Sequence, residues 1–252
     1  MTLPTLSVII ITKNEQAHIQ ACLESVAFAD EIIVVDSGST DRTVEIAAAF
    51  GAKVSITTDW PGFGPQKNRA LDLATSEWVL SIDADERVTP ELADSIRQEL
   101  TQPRATAYRI ARLSEFAGRW IRHSGWWPDR VLRLFRRDLG RFTTVKVHER
   151  VNVSGSVLTL QGHFLHYPYA SLEVFINKIN QYSSSAAQQA FERGKRTSVI
   201  GPFGHSFWTF LRHYVLRRGF LDGWQGLFLA GMAATGSFYR YVKLYSLIRR
   251  KK

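Results

Sequence analysis

The chain of 252 residues is poor in sulfur, with one cysteine, Cys22, and two methionines. A single thiol excludes an intramolecular disulfide and any zinc site built from cysteine pairs, so a reducing compartment fits best. Long apolar runs are also missing. The uncharged stretch Gly223–Tyr239 has 17 residues including Gln225 and four glycines. A spanning helix wants about 20 apolar residues, and the stretch is read as buried or interfacial. The first apolar run, Leu6–Ile11, is stopped by Lys13 and Glu15 without a small-residue cleavage site, so no secretory leader is expected. Acidic residues become scarce along the chain: positions 1–100 carry 7 bases and 16 acids, positions 191–252 carry 12 bases and 2 acids, and the whole is +9. Such a basic half is either a solvated face or a contact surface for an anionic partner. Nucleic acid is not the expected partner, because the basic segments show no RNA-binding strand motif, zinc-finger spacing or helix-turn-helix. Membrane phosphate or a phosphorylated acceptor is.

What is present first is alternation. Leu6–Ile11 is a β-branched run suited to a strand buried on both faces. Ile19, Cys22, Leu23 and Val26 follow at helical spacing on one stripe, which makes Cys22 a core residue. Glu31–Val35 reads as a second strand. The segment Ser37–Asp41 leads into a helix closing at Gly51, with Ser39 or Thr40 able to cap it. Lys53–Thr57 reads as a third strand, Trp60–Pro65 as a loop, Gln66–Ala74 as a helix and Glu77–Ile82 as a fourth strand. This β-α-β-α-β-α-β order implies a parallel sheet with helices on both faces. Ligands of such sheets bind beyond the carboxyl ends of the strands, where this chain has Thr12-Lys13-Asn14-Glu15, Asp36-Ser37-Gly38-Ser39 and Asp83-Ala84-Asp85-Glu86. The two aspartates after the fourth strand offer hard oxygen ligands suited to Mg²⁺ or Mn²⁺ shared with a diphosphate. The alternative is helix-capping chemistry ahead of Pro90, and capping is equally open to Asn14 and Glu15.

The runs Ser7–Glu15, Ile33–Asp41 and Ser81–Asp85, with Gln66-Lys67-Asn68-Arg69-Ala70 between the last two, resemble the nucleotide-sugar-binding half of family 2 glycosyltransferases. The resemblance implies the GT-A fold: α/β, a mostly parallel sheet flanked by helices, here with a mainly helical basic C-terminal extension. It implies a nucleotide-sugar half at 1–105, an acceptor and catalytic half of the same domain at 106–170, and a helical, membrane-associating region at 171–252. Thr12, Asn14 and Glu15 would line the nucleotide pocket, Asp36 would meet the base or ribose, and Lys67 and Arg69 would approach the nucleotide or its phosphates. Asp83 would contact ribose or metal, and Asp85 would be the main ligand of Mg²⁺ or Mn²⁺. Two departures are visible: relatives often carry Asp-Asp-Gly-Ser where this chain has Asp36-Ser37-Gly38-Ser39, and no Gln-x-x-Arg-Trp is present, against a processive synthase.

In the second half, Trp126–Arg137, Gly140-Arg141-Phe142, Val147–Arg150 and Leu221-Asp222-Gly223 are similar to a narrower subgroup, the lipopolysaccharide-core glucosyltransferases similar to WaaE and LgtF. An inverting transfer needs a base for the acceptor proton. Glu149 is the candidate, with His148 as its neighbour or a metal ligand and Asp129 in reserve; a structural ion pair of Glu149 with Arg150 or Arg141 is the competing reading. His163 and His166 could reach the metal or be merely hydrogen bonded. Trp127, Arg130 and Arg133 are candidate acceptor or membrane contacts. Phe207, Phe210, Leu211, Tyr214 and Val215 form a helical stripe near Arg212, Arg217 and Arg218, which suits either core packing or an anionic membrane surface. The function these features imply is transfer of glucose from UDP-glucose to a phosphorylated, lipid-linked inner-core acceptor, at heptose, by a cytoplasmic enzyme held peripherally on the inner membrane. The alternatives are a polyprenyl-phosphate glycosyltransferase and a non-catalytic nucleotide-binding module.

Overall fold

The computed structural model describes residues 4–144, 150–169 and 171–250. Strand and helix alternate through β1 (Leu6–Thr12), α1 (Ile19–Ser25), β2 (Glu31–Asp36), α2 (Thr43–Ala49), β3 (Lys53–Ile56), α3 (Phe63–Leu73) and β4 (Trp78–Asp83). These four strands are parallel in the order β3-β2-β1-β4. The two-residue period of β1 explains the layers. Val8 and Ile10 join the cluster of Ile19, Cys22 and Leu23 from α1, whereas Ile9 joins Ala70 and Leu71 of α3. Each of the valine, leucine and isoleucine side chains among them, fully buried, contributes about 1.5–3 kcal/mol. Burial, followed by the carboxylates of Glu86, Asp85 and Asp83, pushes the Cys22 thiol well up, so it is an inert core residue.

Two local expectations are corrected. The helix after β2 starts at Thr43, and Asp41, not Ser39 or Thr40, meets its first N–H, Oδ1 accepting from Thr43 N at 3.0 Å. The helix α3 starts at Phe63 rather than Gln66; Pro65 falls in its first turn, where no N–H is needed.

The remaining strands are β5 (Glu86–Val88), β6 (Ala107–Phe116), β7 (Arg119–Trp120), β8 (Asp129–Arg136), β9 (Gly140–Phe142), β10 (Val151–Val153) and β11 (Val157–His166), with α4 (Pro90–Thr101) after β5. The sheet continues from β4 through β8, β6 and β11 to β5, with β8 antiparallel to both β4 and β6.

The chain divides into two compact units, Met1–Leu113 with Asp129–His166, and Ser114–Pro128 with Tyr167–Lys252. The second is mainly helical: α5 (Leu172–Glu192), α6 (Gly201–Leu211) and α7 (Gly223–Arg250), the last two joined through a π turn at Arg212–Leu216 and a 3₁₀ turn at Gly219–Asp222. The helix expected across Phe207–Arg218 therefore stops being α-helical at Leu211. Among the described residues, no helix is long and apolar enough to cross a membrane.

Glu31, at the start of β2, is held by Lys53 Nζ at 2.5 Å, Thr75 N at 2.9 Å and the Ser7 hydroxyl. Burial raises its pKa, but Lys53 and these hydrogen bonds outweigh burial and bring it from 4.5 to about 2. A depressed folded pKa gives stability that is complete above the unfolded value and is lost as pH falls through the folded one. Glu31→Gln is expected to lower Tm at neutral pH and to flatten the decline of Tm between about 4.5 and about 2; an unchanged acid slope would contradict this.

Candidate active site

The polar loops converge at the carboxyl rim of the parallel strands. The first two are tied together: Ser39 Oγ accepts from Asn14 N at 2.8 Å, and Asn14 Oδ1 accepts from Thr40 N at 2.8 Å. Asn14 takes a left-handed φ of 56°, which asparagine tolerates better than most residues. Asp36 is fully buried beneath this junction. Its Oδ1 accepts from Gly38 N (2.9 Å) and Ser39 N (2.7 Å), its Oδ2 from Thr12 Oγ1 (3.0 Å) and Ser39 Oγ (2.5 Å). A carboxylate has about four acceptor sites, so Asp36 is saturated by its own loops. It shapes the rim rather than presenting a free group to a base, as does Thr12. Glu15 N donates to Thr43 Oγ1 at 2.8 Å.

At the end of β4 the charges interlock. Lys67, carried by α3 and 4% exposed, reaches Asp83 Oδ1 at 2.9 Å. Arg133 of β8 reaches Asp83 Oδ2 at 2.5 Å and Glu86 Oε1 at 3.1 Å. Glu86 is fully buried; it also meets Arg112 Nη1 at 3.3 Å and accepts from Asp83 N at 3.0 Å. Burial raises the Asp83 pKa, but Arg133 and Lys67 outweigh it and hold the carboxyl well below the usual range. Arg133, expected on acceptor or membrane, is buried and faces Asp83 and Glu86 instead. Both Asp83 oxygens thus face cations, Oδ1 Lys67 and Oδ2 Arg133.

Asp85 is different. Its Oδ2 lies 3.6 Å from His166 Nε2, because β11 pairs antiparallel with β5 and sets His166 opposite Glu86. Two ligands of an octahedral ion at about 2.1 Å stand about 3.0 Å apart when adjacent and about 4.2 Å when opposed; the observed spacing lies between the two, so a shared Mg²⁺ or Mn²⁺ would draw the pair together by about 0.6 Å. Among the described residues no group of three or more His, Cys, Asp or Glu forms such a site, so a cation here would take its other ligands from phosphate and water.

Asp129 and Arg112 face each other across β8 and β6, and both bonds from the guanidinium fall on Asp129 Oδ2. Arg69 turns to Asp59 at 2.7 Å, and Arg130 is exposed. His148 and Glu149 lie outside the described residues. Trp127, Arg212, Arg217 and Arg218 belong to the second unit, where Arg122 lies 5.9 Å from the Trp127 ring. In the sequence Arg112 carries no functional signal, and Glu86 and Gln66 stand only as members of polar runs with no role of their own. Gln66 is buried and donates to Ser37 Oγ at 3.0 Å and Thr57 Oγ1 at 2.7 Å. Its place in the Gln66–Ala70 run was the available signal.

The model of the family described as "Glycosyl transferase family 2" matches residues 7–155. An uncharacterized glycosyltransferase of Rickettsia prowazekii is 35% identical over 96% of this chain and 87% of its own length. The lipopolysaccharide core biosynthesis glycosyltransferase LpsC of Rhizobium meliloti is 32% identical over 95% and 92%. The crystal structure of S. aureus TarS 1–349 in complex with UDP-GlcNAc aligns with a TM-score of 0.52 at 18% identity, covering 98% of this chain and 92% of that one, a likeness of fold alone, the GT-A fold. With the family model spanning more than half of the sequence and relatives aligned along nearly all of it, the chain belongs to glycosyl transferase family 2.

Proposed function

We propose that this glycosyltransferase moves glucose from UDP-glucose, with inversion and in the presence of Mg²⁺ or Mn²⁺, onto a heptose of the lipopolysaccharide inner core at the cytoplasmic face of the inner membrane. The observation that carries the reading is the Asp85–His166 pair at 3.6 Å on the rim where the three polar loops meet. The similarity to LpsC supports the acceptor class, and the sugar rests on the resemblance of the sequence motifs. A divalent cation at Asp85 and His166 would offset charge on the departing diphosphate.

The chain's own groups do the remaining work. Lys67 and Arg133 keep Asp83 ionised and fixed, so it can accept from ribose hydroxyls only along the directions the two cations leave open. The acceptor oxygen forms its bond to C1 as the bond from C1 to the β-phosphate oxygen breaks; UDP leaves with the bonding pair and the hydroxyl proton passes to a carboxylate. We assign that carboxylate to Glu149, with Asp129, whose Oδ1 takes neither Arg112 bond, in reserve. Glu149→Gln should leave donor binding intact and lower transfer by roughly 10²-fold or more. If Asp129→Asn is the inactive variant and Glu149→Gln is active, the assignment is reversed.

The reaction is tested by supplying labelled UDP-glucose with truncated inner-core lipopolysaccharide or with polyprenyl phosphate. Label on the core supports the reading. Label on polyprenyl phosphate alone would replace the acceptor, and label on neither, with UDP still bound, would favour a binding module.

A further inference from the structure

The helical hairpin of α6 and α7 is firmly built, yet it turns large apolar side chains to water. Its arms are joined along their length: Ser206 Oγ donates to Ala234 O at 2.9 Å, and the His205 and Tyr241 rings stack at 3.7 Å. Its tip is fixed within the same unit. Asp222, 2% exposed, accepts from Arg122 N at 3.2 Å and His123 N at 2.9 Å, and His213 Nδ1 lies 2.8 Å from Ser124 O. On this held frame Phe207, Trp208, Leu216, Trp224 and Phe228 are 66, 56, 63, 54 and 56% exposed. Trp224 and Phe228 stand one helical turn apart on α7, opposite the buried Gln225, Gly226, Leu229 and Ala230. Burial of that second face shows that the exposed one is not simply an unpacked helix.

The charge around this face selects its occupant. No Asp, Glu, Lys or Arg occurs from Thr197 to Leu211, three arginines, Arg212, Arg217 and Arg218, crowd the tip, and from Arg193 onward the only acid is Asp222, which the backbone already satisfies. A second copy would bring arginines to arginines with no exposed acid from this region to meet them. An anionic bilayer supplies both what the aromatic side chains and what the arginines need: an apolar layer beneath a sheet of phosphates. Among the described residues no helix is long and apolar enough to cross, which leaves the interfacial plane.

We propose that the tip of the α6–α7 hairpin inserts into one leaflet of an anionic membrane, with the aromatic side chains below the headgroups and Arg212 and Arg218 at lipid phosphates. Arg217 is packed over Gly125 and has a share in holding the tip. The inference deepens the proposed function, and rests on it in that the anchored enzyme meets a lipid-linked acceptor; insertion itself is measured without sugar. It differs from attachment by charge alone, because apolar burial is not screened by salt.

Flotation with vesicles of phosphatidylethanolamine and phosphatidylglycerol tests it. The full chain is expected to float at low and high salt, with tryptophan fluorescence quenched by brominated acyl chains. The variant Phe207→Ser, Trp208→Ser, Phe228→Ser should keep its circular dichroism and lose at least about tenfold in partitioning, whereas Arg212→Gln with Arg218→Gln should weaken binding mainly at low salt. Flotation of the serine variant at the wild-type level, or absence of bromine quenching in the wild type, overturns insertion. So does a wild-type dimer that the serine changes make monomeric while neither protein floats. Transfer to detergent-dispersed acceptor separates the two readings: a protein that inserts but transfers no sugar supports this surface and overturns the acceptor.

Discussion

Replacing Asp85 with alanine is expected to lower sugar transfer by at least about a hundredfold, ~2.7 kcal/mol of barrier, without unfolding the protein. The side chain is 26% exposed, and among the described residues it pairs with the His166 imidazole, so its removal takes charge from the rim and little packing from the core. The neighbouring carboxylates cannot take over, since Asp83 already faces Lys67 and Arg133, and Glu86 faces Arg133 and Arg112. Steady-state transfer rates, with Tm as the control for folding, check the expectation. A variant retaining more than about a tenth of the rate, ~1.4 kcal/mol, would remove Asp85 from the reaction.

Glu86→Ala is expected to have the largest effect on stability, about 2–3 kcal/mol: it removes an acceptor of charge-assisted bonds from two poorly solvated arginines, of which Arg133 keeps Asp83 and Arg112 keeps Asp129. Arg133 and Arg112, with side chains 7 and 21% exposed, would lose their common carboxylate and repel each other. Burial opposes the charge on Arg112, and the attraction of Glu86 heads the interactions that restore and raise its pKa. The Asp83 backbone N–H would also lose its acceptor. Urea unfolding of Glu86→Ala and Glu86→Gln measures this; the glutamine, which keeps an acceptor for that N–H, should be the milder change. A loss below about 1 kcal/mol in the alanine variant, the value of an exposed pair, would show that the network is not a buried one.

The parallel half of the fold was legible because its signals are local. A β-branched run such as Leu6–Ile11 buries both faces, and the alternation of strand and helix dictates parallel pairing. The same locality marked Asp85, which follows its strand directly. The expected α/β sheet with flanking helices and a helical C-terminal region is the architecture the chain adopts. What escaped reading is non-local. Arg133 meets Asp83 across 50 positions and Arg112 meets Glu86 across 26, and nothing near either arginine announces those partners. The antiparallel register that sets Arg112 against Asp129, and His166 near Asp85, is invisible without the strand order. Asp36 shows a second limit: an acid at the right rim position can be used up by its own loop, and only the bond directions reveal it.

The rim around Asp83, Asp85 and His166 is proposed to take a nucleotide diphosphate together with a divalent cation. Calorimetric titration with UDP, with and without Mn²⁺, on the wild type and on Asp85→Ala tests it most directly. Mn²⁺ should tighten UDP binding at least about tenfold in the wild type, ~1.4 kcal/mol, and leave the variant unchanged. Equal tightening in both proteins, or no binding of UDP to the wild type under either condition, would contradict the account.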